Sequence, residues 1–245
     1  MLELRALPTD CAQRRSETAC VGCGARAFSV CGNLPNADLN RLDAIVERVS
    51  LKAGEVLTRE GEPATHVFNI TSGSVRVYKL LPDGRRQITG FLFAGDFVGL
   101  ASGSDYAFAA EAIEEITVCR FRKTEYRALI REVPSLEEAL LDRATHELAA
   151  AQSQMLLLGR KRAQERIASF LLDLPERDPI RPQQAGHVRL PMTRSEIADY
   201  LGLTIETVSR ELGKLKAAGV IRLLSLHELL VEQPQRLRDI AEGLD

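Results

Sequence analysis

Glu206, Ser209 and Arg210 stand at i, i+3 and i+4 in the segment TIETVSRELGKLKAAG, a spacing that puts three polar side chains on one helix face. Their chemistry suits the edges of bases. Arg210 can donate two hydrogen bonds to guanine O6 and N7, Glu206 can accept one from cytosine N4, and Ser209 offers a shorter polar or methyl contact. One good bidentate pair is worth about 1–3 kcal/mol of discrimination against a wrong base. Val208 and Leu212 take the opposite, core-facing side. The bland alternative is a solvated Glu206–Arg210 ion pair. Lys214, Lys216 and Arg194 are candidate phosphate contacts, although charges beside such a helix are often only solvated.

A second set of reactive groups lies at the other end. Cys20, Cys23 and Cys31 share one short arm with the spacing C-x2-C-x7-C, Cys11 is a spare upstream, and Cys119 sits far away in ITVCRF. Three clustered thiolates and a remote fourth can fix the corners of a soft metal centre, either an iron–sulfur cluster or structural zinc. Alone, Cys119 would pass for a small buried hydrophobe. Gly22, Gly24 and Gly32 would let the arm wrap a cluster closely. A thioredoxin-like use of the CxxC needs a strand–helix context that this arm lacks.

Distinct elements must position these groups. Thr193 with Glu196 makes a capping box, Thr204 is a fitting N-cap, and Gly202 sits at the turn between them. The segment therefore predicts a helix-turn-helix for double-stranded DNA. Upstream, Leu39, Leu42, Ile45, Val46 and Val49 have helical spacing from Asn36 to about Val49. From Leu51 to Phe121 the period changes to short runs such as VRVYK and ITVCRF, broken by Gly54, Gly61, Gly73, Gly84 and Gly95, with Asp83-Gly84 a hairpin signal. Such a series implies an antiparallel β-roll or jelly roll.

After Pro134, Ser135 with Glu138 fits a capping box, with Pro134 as a competing first-turn marker. Leu141, Ala144, Leu148, Ala151, Met155 and Leu158 then repeat at alternating steps of three and four, the seam that two parallel helices bury against each other. A further helix, RAQERIASFLLDL, should end before a Pro-rich loop from Pro175 to Gly186. Wing strands are expected around Val220–Arg222 and Leu229–Val231, then a short closing helix. The expected class is α+β in four parts: a cysteine arm over 1–33, a β-roll over 34–130, a dimerisation helix over 133–159, and a winged helix-turn-helix over 160–245.

Bulk properties narrow the setting. The net charge is only −2 over 245 residues, yet residues 159–222 carry 12 Lys/Arg against 8 Asp/Glu, a local +4. That modest footprint asks for dimerisation as well as phosphate contacts. No run approaches the roughly 20 apolar residues of a membrane helix, and a secretory signal is not expected of MLELRALPTDCAQRRSE, which has no apolar core region. Five cysteines in the expected reducing cytoplasm favour metal or redox chemistry over disulfides.

The cysteine arm, GEVLTREGE, ITSGSVRVYKLLPDGRRQITGFLFAGDFVGL and MTRSEIADYLGLTIETVSR together resemble the CRP/FNR family of bacterial regulators over essentially the whole chain, and within it the FNR-type oxygen sensors. The resemblance implies a cyclic-nucleotide-binding-like roll. It also implies a [4Fe–4S] cluster on Cys20, Cys23, Cys31 and Cys119, stable without oxygen, that favours a DNA-binding homodimer. It implies TTGAT-N4-ATCAA-like inverted repeats read by Glu206, Ser209 and Arg210, with Ile205 where cAMP-binding members carry another base-reading Arg. The turn Pro82–Arg85 matches a surface that touches RNA polymerase. Cyclic nucleotide is not the expected ligand, because GDFVGLASGSDYAFAAEA lacks the phosphate-holding Arg-Ser.

Two departures stand out. The Cys23–Cys31 gap is longer than in the best-known pattern, and Ala151 replaces an acidic residue that opposes dimerisation. The resulting expectation is a regulator, mainly an activator of low-oxygen genes, and not an enzyme. The alternative is a family member without a cluster, controlled by its own synthesis, by zinc or by direct thiol oxidation. An enzymatic cupin-like barrel would need a His/Glu metal set, and His66 is the only histidine in that stretch.

Overall fold

The computed structural model describes residues 19–99, 103–178 and 186–244, so Cys11, residues 100–102 and most of the Pro175–Gly186 loop lie outside the described residues. The chain is α+β and divides into two compact units, Met1–Lys79 with Phe91–Glu147 and Leu80–Gly90 with Leu148–Asp245.

Helix α1 (Asn36–Ile45) leads into β1 (Val46–Leu51), β2 (Val56–Thr58), β3 (His66–Ser72), β4 (Val75–Leu80), β5 (Arg86–Leu92), β6 (Phe97–Val98), β7 (Ala109–Ala112) and β8 (Ile116–Arg122). These form two four-stranded sheets, ordered β1-β8-β3-β6 and β2-β7-β4-β5. The β-roll expected from period-two alternation is thus present, and all five glycines marked as turns have positive φ. A core drawn from both sheets includes Val49, Phe68, Ile70, Val75, Ala110, Ile116 and Val118.

A second core covers the other face of the first sheet. It joins Val67, Phe97 and Phe121 to Leu39 and Leu42 of α1, to Tyr126 and Leu129 of α2 (Lys123–Glu132), and to Leu136 and Leu140 of α3 (Pro134–Arg160). Val30 of the cysteine arm and Leu34 just beyond it bury here, and Cys20, Cys31 and Cys119 pack against it. Gly95 (φ +99°) makes this approach possible: a Cβ there would meet the Phe28 carbonyl oxygen at 2.6 Å.

The second unit contains α4 (Ala163–Arg177), β9 (His187–Arg189), α5 (Arg194–Leu201), α6 (Ile205–Ala217), β10 (Ile221–Leu223), β11 (Glu228–Val231) and α7 (Pro234–Glu242). The wing is a three-stranded sheet, ordered β10-β11-β9.

Several boundaries correct the sequence reading. Helix α1 stops at Ile45, because Val46 to Leu51 pair in register with Phe121 to Ile116 and the ladder overrides the helical spacing. Pro134 opens α3, and the Ser135 hydroxyl donates to Asp38 Oδ2 at 3.2 Å instead of serving as a cap. Helix α4 runs past Pro175 to Arg177, although the proline has no N–H to donate to the Leu171 carbonyl and so costs the last turn one ladder bond. Helix α2 and strand β9 were not anticipated. The Tyr126–Leu129 spacing was the available signal for α2, whereas three residues of β9 carry none.

Candidate functional site

The helix-turn-helix is built as its caps require. Thr193 Oγ1 accepts from the Glu196 amide, and the Glu196 carboxylate accepts from the Thr193 amide at 2.7 Å, a reciprocal capping box. Gly202 ends α5 in the left-handed region at φ +61°, where a side chain would be strained. Thr204 Oγ1 then accepts from the Thr207 amide at 3.2 Å to start α6. Val208 and Leu212 are buried, and Ala198 lies small and buried on α5.

Arg166, which the sequence reading did not single out, fastens this turn. Its guanidinium donates to the carbonyls of Leu201 and Leu158 at 2.8 Å and of Lys161 at 2.9 Å. One cation thus satisfies carbonyls at the C-terminal ends of α5 and α3, where the helix dipole favours positive charge.

Glu206, Ser209 and Arg210 are exposed together on α6. The alternative of a Glu206–Arg210 ion pair is not what the side chains adopt. Arg210 donates from Nε to Glu211 Oε1 and from Nη2 to Thr207 Oγ1, both at 3.3 Å. Backbone and Thr204 hydrogen bonds at the start of α6 hold the Glu206 carboxyl below its usual range, so it presents a charged acceptor. Glu211 itself is buried and also accepts from Lys214 at 3.0 Å. Lys216 is exposed and Arg194 half-buried.

The thiol site lies in the first unit. Cys20, Cys23 and Cys31 sit on turns around a short 3-10 turn, Arg26–Phe28, and Cys119 lies on β8 between Arg48 of β1 and Asn69 of β3. All four are free thiols, partly exposed. Cys119 is an electrostatic neighbour of each arm cysteine. Cys20, Cys31 and Cys119 pack against the same core, yet among the described residues no three His, Cys, Asp or Glu side chains gather closely enough to ligate one ion. Of the three arm glycines, only Gly32 is a close-approach position, at 3.2 Å from the Arg26 carbonyl, while Gly22 and Gly24 have open space.

Burial sets the protonation of Cys20, Cys31 and Cys119. Desolvation, then the Asp43 hydrogen bond at 3.3 Å, pushes Cys20 up to about 12, and desolvation pushes Cys119 up to about 12 against the pull of Arg48. Cys31 is raised by the same burial.

The geometry matches known proteins in both parts. The profile of the cyclic nucleotide-binding domain matches residues 48–133, and that of the Crp-like helix-turn-helix domain matches residues 165–240. The chain is 42% identical over 205 residues to the nitrogen fixation regulation protein FixK of Bradyrhizobium diazoefficiens, covering 84% of this chain and 86% of that one. The chain belongs to the CRP/FNR family of transcription regulators. This CRP/FNR-family regulator is also 35% identical over 226 residues to the transcriptional activator FnrL of Cereibacter sphaeroides, covering 91% of each. The structure of FixK2 from Bradyrhizobium japonicum superposes with a TM-score of 0.74 at 39% identity, covering 80% of this chain and 97% of that one. The CRP/FNR-family relatives are DNA-binding transcription regulators, not enzymes.

Proposed function

We propose that this regulator is an oxygen-responsive activator of low-oxygen genes, controlled by a [4Fe–4S] cluster on Cys20, Cys23, Cys31 and Cys119. The packing of Cys20, Cys31 and Cys119 against one core, on the same side of the first sheet, carries the reading. The donor set fits such a group, being four free cysteines. Their spread suits a cluster, in which each ligand binds a different iron. A single zinc would need every sulfur about 2.3 Å from one point. Direct oxidation fits less well at Cys20, Cys31 and Cys119, where desolvation favours the protonated thiol, a poor nucleophile. When bound, the cluster supplies an oxygen-labile centre whose presence marks anaerobic conditions.

The protein's own residues do the rest. Leu141, Leu148 and Met155 expose 67%, 60% and 71% of their surface along α3, an apolar stripe that a second copy would cover. Ala144 and Ala151 keep that seam small, and Leu158 closes it near Gly202. Dimerisation sets two α6 helices for an inverted repeat of the TTGAT type, with Arg210 reading guanine, Glu206 accepting from cytosine and Ser209 beside them. RNA polymerase is met at the Pro82–Arg85 turn. Cyclic nucleotide is not the effector, since the stretch from Gly95 to Ala112 carries no Lys or Arg to hold its phosphate. The setting is the cytoplasm.

Footprinting on a TTGAT-N4-ATCAA duplex under nitrogen and after aeration tests this. Protection lost in air and restored by anaerobic reconstitution supports the reading. Equal protection in both conditions overturns it.

A further inference from the structure

Arg48 does more than its place in β1 requires. In the β1–β8 register it stands directly opposite Cys119, on the same face of the sheet. Its Nη2 lies 3.6 Å from Cys20 Sγ and donates to Asp43 Oδ1, and the same Asp43 oxygen accepts from the Cys20 thiol at 3.3 Å. One guanidinium thus touches an arm cysteine while facing the strand cysteine.

We infer that Arg48 is a positioning residue for the thiolate ligands, its fixed charge offsetting the negative charge that Cys20 and Cys119 bring together when they bind iron. The inference rests on the cluster reading above. A guanidinium suits this task because it stays charged at every working pH and presents several donors to sulfur. Asp43 plays the opposing part. It anchors Arg48 and accepts from Cys20 while that thiol keeps its proton, but a thiolate has no proton to donate and faces the carboxylate as a like charge. Arg48 and Asp43 therefore act on the ligand set with opposite signs, which separates this role from that of an ion pair merely fastening β1 to α1.

The test is anaerobic iron release to a chelator, measured on the full-length protein after reconstitution with iron and sulfide. Circular dichroism serves as the check of fold. Arg48→Gln should lose iron roughly fivefold faster than the unmodified chain, the effect of one nearby unit charge in a partly wet site. Arg48→Lys should recover most of that loss, and Asp43→Asn should retain iron at least as long as the unmodified chain. Equal acceleration by Arg48→Gln and Asp43→Asn, or no change in Arg48→Gln, would overturn the inference while leaving the cluster in place. An unmodified chain that takes up no iron and sulfide overturns the cluster reading, and this inference with it.

Discussion

Arg210 donates from Nε to Glu211 Oε1 at 3.3 Å, so the side chain assigned to reading guanine is held from behind by a carboxylate that is 4% exposed. The pairing leaves Glu206 free of Arg210 and both side chains on the outer face of α6. Replacing Arg210 with Ala should remove about 1–3 kcal/mol of discrimination at the guanine of each half-site. Arg210→Lys should lose most of it too, because an ammonium lacks the planar fork. Competition binding across half-site variants reads this directly, and unchanged selectivity would remove the base-reading role.

Arg166 should matter to stability more than its sequence neighbours suggest. Arg166→Gln leaves carbonyls at the ends of α5 and α3 without their charged donor. Urea unfolding should report a loss of about 2 kcal/mol or more, the scale of hydrogen bonds to a charged group. A loss within about 0.5 kcal/mol, the range of an ordinary surface substitution, would mean that water replaces the donor without cost.

The capping residues were legible because their chemistry is local. Thr193, Glu196, Gly202 and Thr204 each satisfy backbone groups within a few residues, and the structure uses all four as expected. The start of β1 was not legible. Val46 and Val49 fit a helical face equally well, and only pairing with β8, far along the chain, makes Val46 a strand residue. The same holds at the thiol site. Spacing marks Cys20, Cys23 and Cys31, but Asp43, Arg48 and Asn69 meet Cys20 or Cys119 only through α1 and the β1-β8-β3 register.

The neutral seam has a consequence for association. Ala151 is exposed on α3 between Leu148 and Met155, so no like-charge pair opposes a second copy there. Sedimentation should find a measurable dimer even in cluster-free protein, weakened by Ala151→Asp and abolished by Leu148→Glu. A cluster-free chain that stays monomeric at every concentration would contradict this.

The raised thiols predict slow chemistry in the metal-free protein. A thiol pushed up to about 12 is protonated at neutral pH, so Cys20 and Cys119 should alkylate far more slowly than in unfolded chain. Their rates should climb as pH rises toward that value, because the thiolate fraction grows. Mass-spectrometric labelling at pH 7 and 9 checks the order, and rates equal to those of the unfolded chain would show that the folded protein does not protect these thiols.

Cys119 on β8 tests whether the remote thiol belongs with the arm. Cys119→Ser should leave the fold intact, because the side chain is only partly buried, and should block cluster assembly. A normal anaerobic spectrum from that variant would move the fourth ligand to Cys11.

The most direct measurement is iron and acid-labile sulfide per chain in anaerobically purified protein, with a visible absorbance spectrum before and after air is admitted. The account predicts about four irons and four sulfides, as a [4Fe–4S] cluster requires, with absorbance that bleaches on exposure. Zinc, or no metal and no response to air, would contradict it and leave a DNA-binding regulator with a different signal.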